Sequence, residues 1–149
     1  MPETPRTGTA QLMELLSASL VAYYGDFTAA SATEGLTASQ GRTLGVLRRG
    51  PSAMRALATT LACDASNMTG IIDRLEKRGL VLREPSPTDR RVKNVLLTAD
   101  GERTIDAIRA RMHTTLAGLD ALGDEDRAAL AGLLERVFVR PPAADDCRG

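Results

Sequence analysis

Apolar residues recur along this chain at helical spacing, then briefly at strand spacing, then at helical spacing again. Leu12, Leu16, Leu20, Tyr23 and Phe27 follow one another at intervals of 4, 4, 3 and 4, which lines one face of a helix over about residues 9–33. Gly35 ends it. Thr37, with Gln40 three residues on, has the form of a capping box. It opens a second helix that turns Leu44 and Leu47 inward and stops at Gly50-Pro51. Ser52 is the expected cap of a short third helix bearing Met54, Leu57, Ala58 and Leu61. Asp64 is the expected cap of a fourth, which runs to about Arg78 before Gly79 supplies a left-handed end. That helix divides cleanly. Met68, Ile71 or Ile72, and Leu75 form an apolar stripe, and the opposite side carries Ser66, Asn67, Thr69, Gly70 and Arg74.

The period then changes. Residues 80–84 and 92–97 read as two short strands, and residues 85–91 between them form a turn-rich loop with two prolines and a basic tip. From Thr98 a single long helix is expected to reach about Ala121, since Ile105, Ile108, Met112, Leu116 and Leu119 repeat at 3, 4, 4 and 3. At about 1.5 Å per residue it would be roughly 35 Å long. Asp124 is the expected cap of a last helix with Leu130, Leu133, Leu134, Val137 and Phe138 on one side. The pattern predicts a mainly α fold with a small β-hairpin wing. One domain covers residues 9–140, with a winged helix-turn-helix at 35–98 and a helical part at 9–33 and 99–140. Residues 1–8 and 141–149 read as disordered tails.

Composition narrows the core. Tyr23, Tyr24, Phe27 and Phe138 are the only aromatics and there is no Trp, so Leu, Ile, Val, Met and Ala must build it, which favours packed helices. The longest uncharged stretch, residues 15–25, is 11 residues. That is short of the roughly 18–20 a membrane span needs. The first residues lack the basic-then-apolar pattern of a signal peptide, and two cysteines, Cys63 and Cys147, are too few for a disulfide scaffold. One histidine and two cysteines argue against a zinc cage, and no cofactor is expected. A cytoplasmic protein is the simplest reading.

Charge changes the picture more. The chain is formally neutral, with 19 basic and 19 acidic residues. Yet residues 42–93 hold eleven basic and five acidic residues, a net +6, and the flanks together carry −6. A basic middle between acidic arms fits one module that meets a polyanion and another that does not. Reading bases in the major groove needs a helix with one buried side and one side of small or hydrogen-bonding residues, as the fourth helix has. Ser66, Asn67 and Thr69 suit phosphates or base edges, Arg74 lies on the same face and suits a phosphate, and Arg90 and Arg91 on the loop suit a narrow minor groove. Asp89 is poor for touching DNA and is expected to pair with a neighbouring arginine and aim it. Arg55, near the start of the third helix, is expected to add a phosphate contact.

These residues carry a resemblance. The run from Asp64 to Arg83, then Asp89-Arg90-Arg91-Val92, then Leu96-Leu97-Thr98-Ala99-Asp100-Gly101, is similar to the signature of the MarR (multiple antibiotic resistance regulator) family of bacterial transcription factors. The resemblance implies a homodimer in which the first helix and the last two pack against their symmetry mates, each subunit offering one winged helix to a pseudo-palindromic DNA site. It implies DNA contacts at Ser66, Asn67, Thr69, Arg74, Arg90 and Arg91, with Asp89 orienting Arg91. It also implies a repressor that lets go of DNA when a small molecule or oxidant acts. The family's effector cavity lies among the first, second and fifth helices, which points to Tyr23, Leu44 and Met112, with His113 nearby on the long helix.

Other readings weigh less. Cys63 sits at the turn before the fourth helix, where oxidation could tilt it, but a small buried residue is the ordinary expectation for such a cysteine. Cys147 lies in a tail. A winged helix that binds protein instead of DNA would tend to lose its basic face. For an enzyme there is no Ser-His-Asp set, phosphate-binding Gly loop or metal cluster, and Asp124, Glu125 and Asp126 read as a helix start, where acids suit the dipole.

Overall fold

The computed structural model describes residues 7–139. Its elements are α1 (Thr9–Thr33), α2 (Ala38–Leu47), β1 (Ser52–Ala53), α3 (Met54–Thr60), α4 (Ala65–Lys77), β2 (Val81–Pro85), β3 (Lys93–Leu97), α5 (Ala99–Ala110), α6 (His113–Asp120) and α7 (Asp124–Leu134), and a π-helical turn, Glu135–Val139, follows α7. This is the mainly α fold with a small wing that the periodicities predict. The tails expected at 1–8 and 141–149 lie outside the described residues, apart from Thr7 and Gly8. The chain divides into two compact units, Met1–His113 and Thr114–Gly149. The first contains the winged helix together with α1 and α5. No helix among the described residues is long and apolar enough to cross a membrane.

Three local expectations are corrected. Ser52 does not cap α3. It pairs with Val95, and Ala53 with Asn94, so β1 adds a third antiparallel strand and the sheet order is β1-β3-β2. Two residues show no hydrophobic alternation, so the pattern could not reveal this strand; the preceding Gly50 at φ +134° and Pro51 turn the chain into it. The long helix after Thr98 is not continuous. It breaks at Arg111–Met112, where the Arg111 and Met112 N–H groups bond to the carbonyls of Ile108 and Arg109, the tight three-residue spacing that closes a helix. Met112 is 4% exposed and fills the core, and Thr114 and Thr115 beyond it are β-branched poor helix formers. Finally, Gly123 rather than Asp124 occupies the cap position of α7, and Asp124, Glu125 and Asp126 form its first turn.

The core of the first unit gathers α2, α3, α4, the sheet and α5 around Leu44, Leu57, Met68, Ile72, Leu75, Val95, Ile105 and Ile108, all at 0% exposure. Burying such a side chain stabilises the fold by about 1.5–3 kcal/mol each. Of the α1 stripe only Phe27 enters this core, while Leu12, Leu20 and Tyr23 remain exposed. Within the second unit Leu116, Leu119, Leu130, Leu133, Leu134, Val137 and Phe138 are exposed as well.

The end of α4 is fastened to the start of α5. Gly79, at φ +70°, and Leu80 return their N–H groups to the carbonyls of Glu76 and Leu75, the paired bonds of a Schellman motif. Thr98 then works on both sides. Its Oγ1 donates to the Gly79 carbonyl at 2.6 Å and accepts from the Gly101 N–H at 3.1 Å, capping α5. Its own N–H donates to the Leu80 carbonyl at 3.1 Å. Gly101 is required because the helix backbone passes directly over that same carbonyl, and a Cβ would collide with it.

Opposite changes at two turns test this packing. Gly101→Ala is expected to destabilise the protein by about 3 kcal/mol, because the obstructing atom is backbone and cannot move aside. Ala62, in the turn between α3 and α4, has φ +49°. Ala62→Gly is expected to gain about 0.5 kcal/mol by relieving that conformation. Urea unfolding of both variants checks the pair, and a Gly101→Ala protein of unchanged midpoint would refute the junction described here.

Candidate nucleic-acid interface

The helix α4 is held by its apolar side and offers its polar side outward. Met68, Ile71, Ile72 and Leu75 are buried, whereas Ser66, Asn67, Thr69 and Arg74 are exposed and Gly70 is half-buried. The expected division is observed, with Gly70 at its margin and both Ile71 and Ile72 on the buried side. Asp64 starts the helix as expected, its carboxylate accepting from the Asn67 N–H at 2.8 Å and from Ser66 Oγ at 2.7 Å. Thr69 Oγ1 donates back to the Ala65 carbonyl at 2.9 Å. Ser66 and Thr69 therefore have their hydroxyl protons engaged locally, and each hydroxyl oxygen can still accept. Arg74 stands beside Gly70, Asp73, Glu76 and Lys77 along one shallow groove of the helix surface. Arg55 is exposed on α3, at a groove it shares with Ala62, Cys63, Ala65 and Thr69 at the α3–α4 turn.

The wing carries Arg90 and Arg91, both exposed. Asp89 does not pair with an arginine side chain as expected. Its carboxylate accepts from the Arg91 backbone N–H at 3.0 Å, and its carbonyl accepts from the Val92 N–H at 3.0 Å. These two bonds fix the turn that carries Arg91. Ser86, buried at the base of the loop, donates its N–H to the Val92 carbonyl at 2.8 Å and closes the loop.

Two arginines that look like part of the basic surface act within the fold. Arg83, on β2, bonds Asp73 and Glu76 of α4. Burial alone would lower its pKa, but the bond to Asp73 and the charges of Glu76 and Asp73 outweigh it and hold the guanidinium above its ordinary value. Arg78 donates to the carbonyls of Gly35 at 2.8 Å and Glu34 at 2.9 Å, tying the end of α4 to the α1–α2 turn. Sequence spacing carried no signal for either, because both pairings link separate elements.

The expected effector residues do not come together. Leu44 and Met112 are core residues, 0% and 4% exposed, and His113 is exposed at the start of α6. Tyr23 does line a cavity of about 270 Å³, with Tyr24, Phe27, Arg42, Arg49 and Arg109 among its other walls. Tyr23 stacks on Phe27 with ring centroids 6.3 Å apart, and the Arg42 guanidinium lies 5.2 Å from the centre of the Tyr24 ring. The three arginines were missed; Arg42 lies on α2, Arg49 two residues past its end and Arg109 on α5, so no single helical period links them. The Cys63 thiol is half-buried and donates to the Asp64 carbonyl at 3.3 Å. Cys147 lies outside the described residues.

Comparison with known proteins agrees with this geometry. The MarR family pattern matches residues 36–93. The chain is 33% identical over 141 residues to the HTH-type transcriptional repressor NicR of Pseudomonas putida, 93% of this chain and 89% of that protein. It is 32% identical over 108 residues, 71% of the chain, to a proposed transcriptional regulatory protein for the hcr operon of Thauera aromatica, and spans 65% of that relative's length. Among solved structures, CouR from Rhodococcus jostii bound to p-coumaroyl-CoA superposes with a TM-score of 0.65 at 28% identity, covering 81% of this chain and 87% of that one.

The Asp64 cap has a pH signature. The Asn67 N–H first, and Ser66 Oγ second, hold its carboxyl below its ordinary value of 3.8. A depressed folded pKa means that the cap's contribution is complete above the unfolded value and is lost as pH falls through the folded one. The stability difference between wild type and Asp64→Ala is expected to stay constant from about pH 7 to 5 and to shrink only below about pH 4. Denaturant midpoints across that range measure it, and a difference already shrinking between pH 7 and 5 would argue against a carboxylate cap.

Proposed function

Because this chain belongs to the MarR family of transcriptional regulators, we propose that it acts as a homodimeric repressor whose α4 enters the major groove and whose wing enters the minor groove of a pseudo-palindromic operator. One observation carries the reading. The polar side of α4 faces out while its apolar side is locked in the core, and Arg90 and Arg91 project from a wing attached to the same core. Asn67 meets base edges or phosphates, Ser66 and Thr69 offer their hydroxyl oxygens to donors on base edges, Arg55 and Arg74 meet phosphates, and Arg91, set by Asp89, reads the narrow minor groove.

The dimer is supported by the unburied apolar residues of α1, α6, α7 and the π-helical turn, which a second copy would cover. Two symmetric winged helices then meet half-sites about one turn of DNA apart. Repression is supported by the name of the NicR relative. Such a protein works where the chromosome is, in the cytoplasm. The cavity at Tyr23 and Tyr24 is the effector site of this reading. Arg42, Arg49 and Arg109 favour a small molecule with an anionic group, and the rings favour an aromatic or apolar remainder. CouR, which was crystallised with an aromatic acyl-CoA, sets a precedent for such a ligand.

Selection from a random-sequence duplex pool is expected to enrich a palindrome, with log affinity falling steeply against log salt. Arg91→Ala is expected to weaken binding to the enriched duplex by about tenfold or more, with the melting temperature unchanged. A pool that yields no enriched sequence would remove the regulator reading, and an undiminished Arg91→Ala would remove the wing assignment. For the cavity, thermal shift against aromatic carboxylates and their neutral alcohol counterparts is expected to show stabilisation by the acids alone, abolished in Arg42→Met/Arg49→Met. Equal shifts from the alcohols would mean that the arginines are not the anchor.

A further inference from the structure

The exposed side of α4 is less cationic than a DNA-reading helix would ordinarily be. Asp73 and Glu76 sit among Gly70, Arg74 and Lys77, and without a counter-charge these two carboxylates would cancel both of the helix's cations there. Arg83 supplies the counter-charge from β2. Its side chain is only 20% exposed, against 58% for Asp73 and 40% for Glu76. The guanidinium therefore lies beneath the carboxylates and is poorly placed to reach a phosphate itself. It spans both acids at once, a fork geometry that a lysine cannot reproduce.

We propose that Arg83 is a positioning residue of the DNA interface, an internal counter-ion shared by Asp73 and Glu76 that offsets one of their two negative charges and ties the base of the wing to the recognition helix. Two consequences follow from its place. With Arg83 the cluster Asp73, Arg74, Glu76, Lys77 and Arg83 carries a net +1, and without it the net charge is zero. The same pair of bonds also ties α4 to the strand leading to Arg90 and Arg91, a smaller effect than the charge because the Gly79–Thr98 contact and the hairpin register already set that spacing. The inference rests on the DNA-binding reading above and adds a role for a residue that touches no DNA.

The test uses the full chain and the duplex enriched by selection, with affinity measured by fluorescence anisotropy at several salt concentrations. Arg83→Met is expected to weaken binding by about tenfold or more, because two carboxylates now face the phosphates. The triple variant Asp73→Asn/Glu76→Gln/Arg83→Met lacks the bridge but also lacks the repulsion, and is expected to return to within about threefold of wild type. It is also expected to keep the wild-type salt slope, whereas a residue contacting a phosphate directly would lower that slope by about 0.9. If Arg83→Met binds like wild type, or the folded triple variant stays as weak as Arg83→Met, the counter-ion role is overturned. A triple variant with a slope reduced by about one unit would overturn it in favour of direct phosphate contact. Circular dichroism melting of each variant separates loss of binding from loss of fold. A wild-type chain that enriches no duplex overturns the DNA-binding reading and this proposal with it.

Discussion

The fold turns on one small knot, the meeting of the Gly79–Leu80 turn with the Thr98–Gly101 turn. Here the end of the recognition helix, the start of α5 and the two ends of the hairpin come within hydrogen-bonding distance, and one threonine hydroxyl serves two of them. The Leu80 carbonyl accepts from the Thr98 N–H and lies under the bare backbone of Gly101. The register of the hairpin follows, since Val81 pairs with Leu97 directly next to the knot and each further pair, out to Pro85 with Lys93, is counted from there. The wing's reach and the direction of α4 are thus set by the same few atoms. A residue pattern that looks like a sequence signature is, physically, the set of groups that this close approach permits.

The charge of the winged helix is distributed with similar economy. Of the eleven basic residues between 42 and 93, Arg83 is bound to two acids, Arg78 to two carbonyls and Arg48 to Asp106 at 3.3 Å. Exposed ion pairs such as Arg48–Asp106 contribute little, about 0–1 kcal/mol. Arg83, largely covered and bonded to both acids, offsets part of their charge. Arg55, Arg74, Lys77, Arg90, Arg91 and Lys93 are exposed and distributed over α3, α4 and the wing. Counting charges along the sequence therefore overstates how much of that charge is left unengaged by the fold itself.

Much of this was legible beforehand, and for a physical reason. Elements whose apolar residues lie at a regular period were read well: α1, α2 with its Thr37–Gln40 box, and α4 with its buried Met68, Ile72 and Leu75. What failed lacked such a period or depended on distant residues. β1 is two residues long and exists because β3 offers it an edge. The break after Ala110 falls where the 3-and-4 spacing continues unbroken through Met112 to Leu116, so the apolar pattern carries no sign of it. Asp89 was assigned to the right turn but to the wrong partner, since the choice between a backbone N–H and a guanidinium depends on loop conformation. Leu44 and Met112 are core residues, whereas the cavity beside Tyr23 is walled by Arg42, Arg49 and Arg109, and only neighbouring helices decide which residue of a turn faces a cavity.

The position of α2 explains why a cavity and a reading surface can coexist in so small a unit. One side of α2 carries Arg42, Gly45 and Val46 to the cavity, with Arg49 just past its end, and the other sends Leu44 and Leu47 into the core that seats α4. It packs against α1, α4, α5 and β3 at once. A core filled at crystal-like density does not compress, so a helix held on several sides moves together with its neighbours or not at all. Any ligand able to shift α2 from the cavity side must therefore displace the seat of α4. The shift has a second route, because Arg78 ties the end of α4 to the Glu34–Gly35 turn that leads into α2, and Arg111 pairs with the Glu34 carboxylate at 3.1 Å. Both routes end on the same helix.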